Sequence, residues 1–179
     1  MAASTNRMLN LASLGNGMPG LTVACGMTLA ESAAVCLENR KHLPGAQLLH
    51  ADIKSGAFQL EWSAVDERQR HCYNDLQEAT ERGACGVAIL VVKELTGKVV
   101  VERSKKGLGF DYWLGDGDDD LLFSGKARLE VSGILAGTAG QVDARIKQKN
   151  AQIKPSAHLA PGYVAIVEFG NPTAHVEAT

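Results

Sequence analysis

Two short segments with the character of β-strands, at residues 110–114 and 127–134, most constrain this chain, because each carries one carboxylate among apolar neighbours. Asp111 lies beside aromatic residues in the first segment, and Glu130 lies between a leucine and a valine in the second. Side chains alternate faces along a strand, so Glu130 shares its face with Ser132. Like charges held close together cost free energy unless a cation or a proton neutralises one of them. Two carboxylates on adjacent strands therefore indicate a divalent metal site.

Length and composition predict an ordinary globular protein with one domain. The chain has 179 residues, of which 45% are hydrophobic and 21% are charged, and these values are typical of globular domains. The formal net charge is −2. Bulk charge therefore gives no reason to expect a nucleic-acid partner, and such a partner needs a local basic patch.

The N-terminal region shows neither a membrane signal nor a regular periodicity. The sequence contains no run of 18 apolar residues, so no transmembrane helix is predicted. Asparagine and glycine residues interrupt the N-terminus too often for a secretory signal. We expect residues 1–26 to form a flexible arm with few core contacts, and residues 27–179 to form a single α/β domain. No membrane partner is expected, and the predicted location is the cytoplasm.

The four cysteines agree with a cytoplasmic location. They stand at positions 25, 36, 72 and 85, and no pair has C-x-x-C spacing, so neither a zinc motif nor a thioredoxin-type motif is predicted. Cys36, Cys72 and Cys85 fall at apolar positions, which predicts reduced and buried thiols.

Capping residues and hydrophobic periodicity predict three helices. Capping boxes that start at Thr28 and Asp66 open helices that end near residues 40 and 82. A third helix spans residues 139–153 and ends before Pro155.

Strands are predicted between and after these helices. The nearly uninterrupted apolar runs at residues 87–92 and 164–169 are typical of central strands that are covered on both faces. Alternation and turn residues predict further strands at residues 46–51 and 57–63, which form a hairpin, at 98–103, and at the edge segment 173–177. This mixed order of elements predicts an α/β sandwich, a single domain with a central mixed β-sheet flanked by helices.

From residue 66 to about residue 170 the chain resembles the PD-(D/E)XK nuclease superfamily. The resemblance lies in the order α–β–β–β–α–β, with Asp111 in one strand and Glu130 in the next, 19 residues later. It implies a restriction-endonuclease-like core and a metal-dependent nuclease or nuclease-derived subunit that acts on DNA, in a restriction or phage-defence system.

The resemblance also implies roles for individual residues. Asp111 and Glu130 take the metal-binding roles for Mg²⁺ or Mn²⁺, and Glu78 or Glu81 on the preceding helix is available as a third carboxylate. The lysine that follows the glutamate by two positions in that superfamily is Ser132 here, and a hydroxyl supplies no positive charge to the attacking water. The catalytic lysine is therefore expected on the next helix, for which the candidates are Lys147 and Lys149.

Basic residues near the two strand segments are candidates for contacts with backbone phosphates. Such contacts do not distinguish one base sequence from another. They are Arg103, Lys105, Lys106, Arg145 and Lys149.

Other interpretations of the same residues stay open. Asp111 could cap a turn and Glu130 could pair with Arg128 or Arg103, so that the protein is a non-catalytic accessory subunit that binds a protein partner or a second copy of itself. A nucleotide-binding role for the loop 104–109 is a third alternative, although that loop lacks the P-loop spacing.

Overall fold

The computed structural model describes residues 7–117 and 124–179, which form one mixed β-sheet and four α-helices. Residues 118–120 of the predicted acidic turn lie outside the described residues. The strands are β1 (Arg7–Asn10), β2 (Ala46–Asp52), β3 (Gly56–Glu61), β4 (Val99–Arg103), β5 (Tyr112–Gly115), β6 (Ala127–Ile134), β7 (Gly162–Glu168) and β8 (Thr173–Ala178). The helices are α1 (Val23–Asn39), α2 (Glu67–Cys72), α3 (Leu76–Thr96) and α4 (Ala139–Ile153), with 3₁₀ turns at Leu11–Asn16 and Lys154–Ser156.

The strand order across the sheet is β1-β3-β2-β8-β7-β6-β5-β4. The strands β4, β5 and β6 form an antiparallel meander, whereas β6 and β7 are parallel and are joined by α4. The hairpin of β2 and β3 is present as predicted, and β7 lies in the interior of the sheet as the apolar run at residues 164–169 indicates. The predicted α/β class with a mixed central sheet is confirmed.

Helices cover both faces of the sheet. On one face α3 contacts β6, β7 and β8, and α1 packs against α3; on the other face α4 lies over β6 and β7. The predicted alternation along β6 matches these two layers. Leu129 and Val131 join the large core under α3, whereas Arg128, Glu130 and Ser132 bond to residues of α4 and the turns that follow it.

The apolar run at residues 87–92 is helical, so the prediction of a central strand there is wrong. These residues belong to α3, which begins after the N-cap Asp75 and ends at Gly97, a glycine with φ of 76°. Residues 86–92 are all buried because α3 lies between the sheet and α1. A helix that is buried all round has an apolar run as continuous as that of a central strand, and periodicity alone does not separate the two.

The predicted second helix is in fact two helices. The capping box at Asp66 is present, but it opens only the short α2, and Asp75 then caps α3. Gly83 therefore lies inside α3 instead of ending a helix. A Cβ atom at Gly83 would lie 2.8 Å from the Cα atom of Ala33 in α1, so this glycine allows α1 and α3 to pack closely.

Residues 7–26 contribute several side chains to the core, so the expectation that the N-terminal region makes few core contacts is wrong for them. β1 pairs in parallel with β3, and the 3₁₀ turn that follows packs against α1. A Cβ atom at Gly26 would collide with the carbonyl oxygen of Leu14, which shows how tight this contact is. The leucines at positions 9, 11, 14 and 21 are all buried.

The first helix starts earlier than its sequence pattern predicts. Thr22 is the N-cap of α1 and accepts a hydrogen bond from the Cys25 backbone N–H at 3.2 Å. The predicted cap, Thr28, lies inside the helix, where its hydroxyl donates to the Ala24 carbonyl. Thr22 is followed three residues later by Cys25, not by Glu or Gln, so the capping-box pattern does not indicate it.

Two further predictions concern membranes and thiols. Among residues 7–117 and 124–179, no helix combines the length and the apolar character needed to cross a bilayer. Cys36 is buried as expected and Cys85 is partly buried, but Cys72 is exposed. The prediction that Cys72 is buried is wrong because α2 lies on the surface and buries none of its residues.

We expect Leu14→Ala to lower the free energy of unfolding by about 2–5 kcal/mol, because the leucine is fully buried and its removal leaves a cavity between the 3₁₀ turn and the helices. Urea denaturation followed by circular dichroism measures this change. The control is Met8→Ala in β1, where the side chain is 62% exposed and the effect should be within about 0.5 kcal/mol. Equal stability of the two variants would contradict an integral N-terminal region.

Candidate functional site

The pairing of β5 with β6 brings Asp111 and Glu130 together. Tyr112 in β5 is opposite Leu129 in β6; Asp111, predicted inside the strand segment, lies immediately before β5, whereas Glu130 lies inside β6. The Asp111 backbone N–H donates to the Leu129 carbonyl at 2.8 Å, and its Oδ2 atom accepts a hydrogen bond from the Val131 N–H, so two hydrogen bonds attach Asp111 to β6 on either side of Glu130. The structure therefore brings together the two carboxylates predicted from the sequence, and both line the same clefts.

Helix α4 covers this face and supplies the partners of β6. It starts at Thr138, which forms a capping box with Gln141. Arg128 of β6 is buried and secures the other end of the helix, since its guanidinium donates to the carbonyls of Ile153 and Ala160 and to the Ser156 hydroxyl at 2.7–2.8 Å. Arg128 thus bonds to the last turns of α4 and does not pair with Glu130.

Glu130 is held by two side chains of α4. Its Oε1 atom accepts a hydrogen bond from Lys149 Nζ at 2.6 Å and another from Gln152 Nε2 at 2.8 Å, and the side chain is only 3% exposed. Burial, followed by the charge of Asp111, raises the pKa of Glu130 to about 7, although the bond from Lys149 acts in the opposite direction. The repulsion expected between two close carboxylates is therefore present at this site.

Asp111 is bound from two other directions. Its Oδ2 atom accepts a hydrogen bond from the Val131 backbone N–H at 2.9 Å, and its Oδ1 atom accepts one from Arg103 at 3.3 Å. The Arg103 guanidinium also lies over the Tyr112 ring, 4.5 Å from its centroid. Asp111 is 25% exposed in its side chain, so it is the more accessible of the two carboxylates.

Ser132, which stands at the position of the missing lysine, is bonded to an arginine. Its hydroxyl oxygen accepts a hydrogen bond from Arg145 Nη1 at 2.7 Å. Arg145, Lys149 and Gln152 follow one another at i, i+4 and i+7, which places them on one face of α4. That helix face therefore presents two cations along β6, one at Ser132 and one at Glu130.

Two clefts meet at the carboxylates. The larger, of about 1140 Å³, is lined by residues of α1, α3, β5, β6 and α4, and the smaller, of about 540 Å³, lies against the loop 104–109. Arg103, Asp111, Glu130 and Gln152 line both. Basic side chains outnumber acidic ones on the walls: the basic residues are Arg82, Arg103, Lys105, Lys106, Arg145 and Lys149, and the acidic residues are Glu81, Asp111 and Glu130.

The structure brings together most of the predicted site residues, but not all. Lys149 contacts Glu130, whereas Lys147 is exposed and lines neither cleft. Glu78 also lies outside both linings and pairs with Arg82 at 2.6 Å, while Glu81 lines the larger cleft. All five basic residues predicted to contact phosphates line one cleft or the other.

Sequence reasoning missed the role of Gln152. Its amide donates to Glu130 and its Oε1 atom accepts a hydrogen bond from Lys149 at 3.0 Å, so it bridges the ion pair. The spacing of three residues from Lys149 was the available signal, because residues at i and i+3 share a helix face.

The donor set at the centre of the site is two carboxylates. Within residues 7–117 and 124–179, no group of three or more histidine, cysteine, aspartate or glutamate side chains is placed to hold a metal ion. Mg²⁺ differs from most metals in needing only one or two protein carboxylates, since it keeps several waters. Hard oxygen donors with mutual repulsion, as found at Asp111 and Glu130, fit that ion.

Comparison with known proteins gives no relative: neither a protein-family model, nor a curated protein, nor a solved structure matches this chain.

The raised pKa of Glu130 predicts a pH dependence of stability. Because its carboxyl group ionises less readily in the folded state than in the unfolded state, its contribution to stability is full at low pH and is lost as pH rises through about 7. We expect Glu130→Gln to remove this loss, so that the stability difference between variant and wild type shifts in favour of the variant by about 2 kcal/mol between pH 5 and pH 8.

Urea denaturation at a series of pH values measures this shift. The control is Glu94→Gln, the same substitution at an exposed position of α3. If Glu130→Gln loses stability relative to wild type as pH rises, the ion pair with Lys149 outweighs burial and the repulsion from Asp111.

Proposed function

We propose that this protein is a metal-dependent nuclease that hydrolyses phosphodiester bonds of DNA. The observation that carries the proposal is the closeness of Asp111 and Glu130: the Asp111 carboxylate accepts a hydrogen bond from the Val131 N–H, next to Glu130 in β6, and Lys149 Nζ lies 2.6 Å from Glu130. This group lies where two clefts with mainly basic walls meet. A carboxylate pair suits a divalent cation, and basic walls suit a polyanion.

The order of elements supports the same class. Once residues 87–92 are assigned to α3, the elements from α3 onward are α3, β4, β5, β6, α4 and β7. This is the order α–β–β–β–α–β on which the resemblance to the PD-(D/E)XK superfamily rests. A restriction-endonuclease-like core for this half of the chain is part of the proposal.

Each residue of the site has a role that its surroundings support. A divalent ion held by Asp111 and Glu130 would supply Lewis-acid stabilisation of the phosphoryl oxygen. Lys149 carries a positive charge next to Glu130, and in the proposed mechanism it favours hydroxide over water as the nucleophile. Gln152 keeps Lys149 and Glu130 in contact through its one side-chain amide, whose N–H donates to Glu130 and whose oxygen accepts from Lys149. The basic side chains on the cleft walls neutralise backbone phosphates.

One observation favours the alternative of a non-catalytic subunit with the same fold. Both carboxylates already have cationic partners, Lys149 for Glu130 and Arg103 for Asp111. Such a network can hold β5, β6 and α4 together without any metal. In that case the protein would act through binding to a protein partner or to a second copy of itself, and the metal response described next would be absent.

We expect Mg²⁺ or Mn²⁺ to raise the melting temperature of the wild type, because a ligand that binds only the folded state stabilises it. Asp111→Asn and Glu130→Gln should each abolish the response, and both should fail to cleave plasmid and linear DNA. Differential scanning fluorimetry and gel assays measure the two effects. Asp66→Asn is a control in which the carboxylate lost is a helix cap outside both clefts. A wild type without metal response would exclude the site and favour the accessory role.

The catalytic lysine can be identified by comparing two residues of α4. We expect Lys149→Met to reduce cleavage by a factor of about 100 or more, which is typical of the loss of an electrostatic catalyst, while the metal-dependent shift in melting temperature persists. Lys147→Met should keep cleavage close to that of the wild type, because Lys147 is exposed and lines neither cleft. The measurement is the initial rate of plasmid nicking. Equal rates for the two variants would remove Lys149 from the mechanism.

A further inference from the structure

Arg145 differs from other cleft arginines in the partner that holds it. Arg82 pairs with Glu78 and Arg103 pairs with Asp111. Arg145 instead donates to the neutral hydroxyl of Ser132, and among residues 7–117 and 124–179 no carboxylate forms an ion pair with it. Its charge is thus fixed in position but not neutralised.

The position of this charge is set by the strand. Ser132 follows Glu130 by two residues on the same face of β6, and side chains so spaced lie about 6.6 Å apart. The Arg145 guanidinium therefore lies next to the carboxylate pair and on the wall of the larger cleft. Of its five N–H donors, the structure uses one for Ser132.

We propose that Arg145, oriented by Ser132, is the receptor for a phosphate group of the nucleic-acid backbone beside the carboxylate pair. A guanidinium fork binds two phosphate oxygens at once, and a fork already held in place loses less conformational entropy on binding than a free lysine does. The inference rests on the proposed function, because it takes the cleft to hold a nucleic acid.

The same arrangement explains the serine at the position of the missing lysine. A lysine at position 132 would point its ammonium group at Arg145 and lie close to Lys149, and like charges would repel. A small hydroxyl acceptor, which is only 9% exposed, removes that conflict and orients the arginine. Ser132 is thus a positioning residue, and Arg145 is the residue that contacts the phosphate.

The test is DNA binding in the presence of EDTA, so that no metal takes part. Fluorescence anisotropy with labelled single-stranded and duplex DNA, at several salt concentrations, gives the affinity and its salt dependence. We expect Arg145→Ala to weaken binding of the preferred form by roughly 10- to 100-fold and to reduce the slope of log affinity against log salt by about one. The control is Arg68→Ala, an exposed arginine of α2 outside both clefts, which should change neither.

Ser132 is tested with Arg145 in a double-mutant cycle. Ser132→Ala should weaken binding, Ser132→Thr should restore it because threonine keeps the hydroxyl, and Ser132→Ala should add nothing once Arg145 is alanine. Melting temperatures show whether each variant folds. Additive effects in the cycle would contradict the positioning role of Ser132. An Arg145→Ala variant that binds DNA as tightly as Arg68→Ala does would contradict the assignment of Arg145 as the phosphate receptor.

A competition experiment distinguishes two possible ligands of Arg145: a phosphate of the nucleic-acid backbone and a free phosphate group. Unlabelled DNA should displace the probe at far lower concentration than inorganic phosphate or a mononucleotide does. Displacement by free phosphate at concentrations comparable to those of DNA would overturn the assignment to a nucleic-acid backbone. A wild type that binds no DNA in EDTA would also contradict the assignment of Arg145 as the phosphate receptor. The metal-dependent shift in melting temperature tests the carboxylate site independently.

Discussion

The docking of α4 on β6 is the contact on which the site depends. Three successive residues on the outer face of β6 are polar and buried: Arg128, Glu130 and Ser132. Each bonds to α4 or to the turns that follow it, through Ile153, Lys149 and Arg145 respectively. A buried polar group without a partner costs free energy of about 1–3 kcal/mol, and a buried charge costs more. The strand therefore requires this helix at this register.

The same contact gives the site its electrostatic character. Because α4 excludes water from the face of β6, the carboxylates of Glu130 and Asp111 act on each other in a medium of low polarity, and the pKa of Glu130 rises. Lys149 reduces this repulsion only in part. A site of this kind favours a cation, and the polar groups that stabilise the helix packing are also those assigned to chemistry and to phosphate binding.

The sequence predicts correctly those elements whose signals come from residues close together in the chain. The bounds of β6 and α4, the capping box at Asp66 and the hairpin of β2 and β3 follow from alternation, capping and turn residues. Sequence reasoning was wrong at residues 87–92, because an apolar run reports burial and not the shape of the backbone. It was also wrong for residues 7–26, whose leucines lack a regular period but are buried by packing on α1 and β3.

For the candidate site, the sequence by itself determined the chemistry that is available: a carboxylate on each of two strands, a serine at the expected lysine position, and a helix with basic residues. Only the tertiary structure decided which of these groups meet. Hydrogen bonds between Asp111 and β6 set its carboxylate beside Glu130. The rotation of α4 about its axis turned Arg145, Lys149 and Gln152 toward the sheet and left Lys147 in solvent. The physical reason is that residue types are properties of the chain, whereas register and helix orientation result from packing between elements distant in sequence.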